Sequence, residues 1–134
     1  MIQIIKLNGI DRKIYQLLGP LVMNPEVLRF NNNYPFKTGE QYEWHIAIEG
    51  KKVRGFIPVE HRKKEWIINN YYAHPQYLEE VLPLLIKSVI EEAKVKSEII
   101  LSAVVQSKHQ PFFVQEGFEI TKSWKIYYKM QQTI

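Results

Sequence analysis

The stretch "PFFVQEGFEI", Pro111 to Ile120, decides how the rest of the chain is read. Two adjacent aromatics followed by polar residues predict the last turn of a helix. Gly117 supplies the backbone freedom that ends it, and Phe118 opens the alternating run of a strand. Forward of this stretch, "FEITKSWKIYYKM" supplies one or two terminal strands. Behind it, the short helix starts near Lys108. Before that, "EIILSAVV" is a continuous apolar run, the pattern of a strand covered on both faces and therefore lying beside a parallel neighbour.

Further back, Leu78, Val81, Leu82, Leu85, Val89 and Ala93 recur at helical spacing opposite Glu79, Glu91, Glu92 and Lys94. They predict the longest helix, from Tyr77 to about Lys96, as the crossover of a right-handed β-α-β unit. Pro83 lies inside this pattern, so either the helix kinks there or Pro83 belongs to its first turn. Ahead of the helix, "YEWHIAIE", "KVRGFIPVEH" and "EWIINNYYA" read as an antiparallel three-strand meander with turns at Gly50-Lys51 and around Arg62 to Lys64. Alternation puts Trp44, Ile46 and Ile48 on one face and His45 on the outward face. Pro58 has no N–H for a ladder, so its strand is expected to be bulged there or unpaired on one side.

The N-terminal third is simpler. "IQIIKL" is a first strand. A helix follows from Asp11 and is expected to break at Gly19-Pro20. Asn24-Pro25 caps a second short helix that dies in Asn31 to Asn33.

The chain of 134 residues, 46% hydrophobic and 24% charged, predicts one compact domain of mixed α+β class. Cysteine is absent, which excludes disulfides and thiolate chemistry and fits a reducing compartment. No segment approaches the roughly 20 apolar residues of a membrane span, so a cytoplasmic location is expected. The net charge of +4 favours an anionic ligand. Lys51-Lys52 and Arg62-Lys63-Lys64, however, read as solvated turns rather than a nucleic-acid patch. No metal-ligand spacing occurs, and Asp11 is the single aspartate, far from any nucleophile elbow.

The element order, the "PFFVQEGFEI…YYKM" ending and the hairpin "EGKKVRGFIPV" together resemble the GNAT N-acetyltransferase family over nearly the whole chain. The resemblance implies a central mixed sheet, splayed at the middle, with the long helix crossing over it. It also implies acetyl-CoA as cofactor and a small-molecule or peptide amine as acceptor, and it is compatible with a homodimer. By that resemblance, the backbone of Tyr72 and Ala73 pairs with the pantetheine arm. Gln76, Tyr77, Leu78, Glu79 and Glu80 border the pyrophosphate, and Phe113 lies beside the cofactor.

Two departures qualify this. The family's pyrophosphate loop needs glycines so that backbone N–H groups approach the phosphates, yet no glycine stands between Gly55 and Gly117. Glu79 and Glu80 instead place negative charge there, where they also complement the helix dipole. The family's frequent catalytic tyrosine is replaced by Phe113, which has no proton to donate and reads first as a core residue of a short helix.

His74 and His109 are the candidate bases that remain, the alternatives being a strand-end residue and an exposed helix residue. Among Tyr71, Tyr72, Tyr127 and Tyr128, one tyrosine is expected to line a pocket and one to stand in for the missing acid. Two readings follow: an acyl-CoA-dependent N-acyltransferase, or a GNAT-shaped binding or assembly module without that chemistry.

Overall fold

A computed structural model describes residues 1–134 as one eight-stranded mixed sheet with four α-helices. The strands are β1 (Ile2–Asn8), β2 (Tyr42–Glu49), β3 (Lys52–His61), β4 (Glu65–Ile68), β5 (Tyr72–Ala73), β6 (Ile100–Gln106), β7 (Glu119–Ser123) and β8 (Tyr127–Thr133). The helices are α1 (Arg12–Val22), α2 (Pro25–Phe30), α3 (Leu78–Lys96) and α4 (Gln110–Gln115). Strand order is β1-β2-β3-β4-β6-β8-β7, with β5 paired to β3.

The parallel pair is as expected. Glu65 to Ile68 run beside Ile100 to Ala103, joined by α3 as the crossover. Beyond Ile68 and Ala103 the two strands part. "EWIINNYYA" is not one strand: Asn69, Asn70 and Tyr71 leave the ladder, and Tyr72–Ala73 resume pairing with Phe56 and Gly55 only. Tandem asparagines disfavour extended pairing, which accounts for the break. Pro58 sits opposite it. Pro58 pairs with Trp44 on β2, and the stretch between Phe56 and Glu60 has no partner on its other side, so the missing N–H costs no bond there. The β2–β3 bulge falls at Ala47/Ile48 instead.

Three other expectations are corrected. First, α1 runs through Gly19-Pro20 to Val22. Gly19 has no Cβ to clash with the following proline ring, and only two helical residues remain after Pro20. Second, Pro83 is not a first-turn residue, although the turn before the helix is separate, as that alternative required. It lies inside α3, which is preceded by a separate 3-10 turn, Pro75–Tyr77, with Tyr77 as N-cap. Third, His45 does not face solvent, because α3 covers its face: it is 0% exposed, and its Nδ1 is 2.8 Å from Ser88 Oγ.

The core lies on both sides of the sheet. On one face Ala47, Ile57, Val59, Ile68, Leu101 and Val105 pack under the Val81, Leu85 and Val89 stripe of α3, with Phe113 of α4 closing the end. Opposite, Ile14, Leu18 and Val27 of α1 and α2 cover Trp44, Ile46, Phe56 and Tyr72. Gly117 has φ +101°, and Gln132 Nε2 crosses beside it to donate to Glu116 O at 3.0 Å, fastening the end of α4 to β8. No helix is long and apolar enough to cross a membrane.

Candidate functional site

Where β4 leaves β6 the sheet opens into a cavity of about 570 Å³. Its floor is the released segment Asn69, Asn70 and Tyr71 with Pro58, Val104 and Gln106; its walls are the α2–β2 loop, through Tyr34, Pro35 and Lys37, and the β7–β8 turn, through Trp124 and Tyr127. Asn69, Asn70 and Tyr71 make no backbone–backbone hydrogen bond. Their N–H and C=O groups are therefore left for solvent or ligand.

Side-chain amides tie these walls together. Gln106 Nε2 donates to Phe30 O at 2.7 Å, satisfying a terminal carbonyl of α2. Asn31 Nδ2 donates to Asn70 Oδ1 and to Tyr34 O, each at 2.9 Å. Asn32 donates to the Tyr127 hydroxyl, linking the two walls.

One side chain spans the opening. The Tyr71 hydroxyl accepts from Gln106 N–H at 3.1 Å and lies 2.7 Å from His109 Nδ1. A backbone amide can only donate and the hydroxyl has no other hydrogen-bond partner, so His109 Nδ1 is the one acceptor for the phenolic proton, which places the imidazole proton on Nε2. Burial pushes the Tyr71 pKa well up, keeping the hydroxyl protonated, and lowers that of His109 to about 4, aided by Lys108. At neutral pH both partners are uncharged. Phe30 stacks on the His109 ring at 5.3 Å and fixes its plane.

The residues expected from sequence fall into separate places. His109 is 2% exposed, not an exposed helix residue, and touches Tyr71 and Phe30. His74 caps the 3-10 turn, its Nδ1 accepting from Gln76 N–H at 3.2 Å. The two histidines share no hydrogen-bond or ring partner, and neither lines the cavity. Phe113 is 0% exposed between Tyr71 and Phe118, a core side chain. Tyr72 and Ala73 are buried on β5.

Leu78, Glu79 and Glu80 begin α3, whose N-cap Tyr77 makes no side-chain capping bond; Glu79 and Glu80 are exposed there without an ion-pair partner. Arg54 lies next to this start, 4.3 Å over the Tyr77 ring and 2.9 Å from Glu49. The sequence reading missed Asn69, Asn70, Tyr34 and Trp124. Two asparagines in mid-strand were the available signal for the first pair.

This splayed mixed sheet with a crossover helix is the GNAT N-acetyltransferase fold. The chain superposes on Escherichia coli ElaA with TM-score 0.78 at 14% identity, covering 97% of this chain and 99% of that one. It superposes on the PaiA N-acetyltransferase of Thermoplasma acidophilum, solved in complex with coenzyme A, with TM-score 0.76 at 14% identity over 100% and 99%. Arabidopsis thaliana Naa50, solved with the bisubstrate analogue CoA-Ac-MVNAL, gives TM-score 0.72 at 17% identity over 99% of both chains. No family model and no curated protein matches the sequence.

Proposed function

We propose that the protein is an acyl-CoA-dependent N-acyltransferase that transfers an acetyl group to an amine. The observation that carries this reading is the parting of β4 from β6 beside a 570 Å³ cavity floored by backbone without ladder partners. Supporting it are structural neighbours solved with coenzyme A or a CoA-peptide conjugate. Acetyl-CoA would enter along Tyr72 and Ala73, with its pyrophosphate at the uncapped start of α3 near Gln76 to Glu80 and Arg54. The amine would occupy the cavity.

In this scheme the neutral amine attacks the thioester carbonyl, a C–N bond forms and the C–S bond breaks. Free N–H groups of the Asn69 to Tyr71 segment are suited to the charge that develops on the carbonyl oxygen. The amine proton ends on sulfur, and Tyr71 would relay it in the role that Phe113 cannot fill: its O–H turns from His109 Nδ1 to the sulfur, and its oxygen takes the amine proton in exchange. Burial disfavours a free phenolate, so the relay is concerted. His109 is a positioning residue that orients the hydroxyl. His74 lies outside the cavity and is the weaker candidate base.

The Tyr71 bridge also favours a second reading, a binding module, because it closes the gap between the splayed strands. Thermal shift with acetyl-CoA separates the two. Saturation to 100 times Kd contributes about 2.7 kcal/mol of stability. A clear shift, followed by amine-dependent release of coenzyme A, supports the transferase. No shift at millimolar acetyl-CoA leaves the binding module.

A further inference from the structure

Helices α1 and α2 cover only the β1–β3 half of their sheet face. Next to the first cavity lies a second, of about 310 Å³, and the two share Asn69 and Val104, so one continuous groove follows β4 and β6. Its charge is one-sided. No carboxylate lines the first cavity, where Lys37 is the only charged residue.

The second cavity holds Arg62 and Lys129 against Glu65, one oxygen of which accepts from Ser102 Oγ at 2.5 Å. Glu60 offsets Arg62 only loosely, at 3.5 Å with Arg62 largely exposed. Lys37 and Lys129 form no ion pair, nor do Lys63 and Lys64 in the β3–β4 turn or Lys122 and Lys125 by the β7–β8 turn. A solvated lysine is ordinary on any surface. Three cations, Lys37, Arg62 and Lys129, against one lining carboxylate give the concave floor a net positive charge, which is a recognition feature.

A polycationic amine finds one counter-charge in this groove, Glu65, among three cations, whereas an acidic chain finds Arg62 and Lys129 along the second cavity. The unpaired backbone of Asn69 to Tyr71 adds the donors and acceptors that an extended peptide uses. We infer that the groove binds an extended acidic peptide, with its amine end in the first cavity and its carboxylate side chains over Arg62 and Lys129. The fate of the amine rests on the acyltransferase reading; the binding itself does not.

The test uses the intact protein and fluorescein-labelled hexapeptides of one length, acidic, neutral or basic, each with a free α-amine and the dye at the C-terminus. Anisotropy is measured at physiological salt, with a single-stranded oligonucleotide as a second polyanion. The acidic peptide should bind at least about tenfold tighter than the basic one, and Arg62→Glu with Lys129→Glu should remove that preference, both positions being at the surface. Equal or reversed preference overturns the inference, as does a preference that survives both substitutions, or binding of the oligonucleotide alone. Adding acetyl-CoA separates the two claims. Acidic-peptide binding without acetylation refutes the transferase and keeps the groove assignment, while acetylation confined to basic peptides does the reverse.

Discussion

Replacing Tyr71 by Phe removes a single oxygen and leaves two buried groups without partners, the Gln106 N–H and His109 Nδ1, now bonded at 3.1 and 2.7 Å. An orphaned buried group costs about 1–3 kcal/mol, and because Tyr71 borders the cavity, entering water holds the pair to the lower part of that range, about 2–3 kcal/mol in total. In a chain of this size that is a fall in Tm of roughly 8–10 °C. Urea denaturation at pH 7.5 measures it. A double-mutant cycle with His109→Gln then isolates the coupling, expected at about 1 kcal/mol or more.

The same pair sets a pH dependence. His109 has a folded pKa of about 4 against 6.5 unfolded, so the unfolded chain binds a proton that the folded one refuses. Stability is therefore unaffected above pH 6.5 and falls as pH drops from 6.5 to 4, by about 3 kcal/mol from this group. His109→Gln should flatten that limb relative to the natural protein. A loss below about 0.5 kcal/mol for Tyr71→Phe, or costs that add without coupling, would show that the bridge contributes nothing and refute the reasoning.

A Cβ on Gly55 would meet Tyr72 O at 2.6 Å and Val81 Cγ1 at 2.8 Å, so Gly55→Ala should displace β5 and the start of α3. The expected loss is about 1–3 kcal/mol by chemical denaturation, with weaker acetyl-CoA binding by calorimetry. Glu79→Gly with Glu80→Gln removes negative charge from the uncapped start of α3 and should tighten acetyl-CoA several-fold, about 0.5–1 kcal/mol per charge, read by thermal shift across cofactor concentrations. Gln106→Ala frees Phe30 O and should cost about 1–2 kcal/mol, visible as faster amide exchange at the end of α2.

Local patterns were enough for most elements. Apolar spacing located α3, and the continuous run Ile99 to Val105 announced a parallel neighbour, because period and burial are written in consecutive residues. Gly117 marked the end of α4 for the same local reason. The absence of glycine between Gly55 and Gly117, and of a hydroxyl at Phe113, is also settled by the chain alone.

What only the tertiary structure decided is where side chains distant in sequence meet. His45 looked outward by alternation, but alternation does not say whether a helix will cover the second face, and α3 does. His109 looked like a surface residue until Tyr71 and Phe30, 38 and 79 positions away, closed over it. The cavity is likewise assembled from the α2–β2 loop, the break at Asn69 to Tyr71 and the β7–β8 turn. Burial and proton affinity depend on the sum of such neighbours, which no local window of the sequence contains.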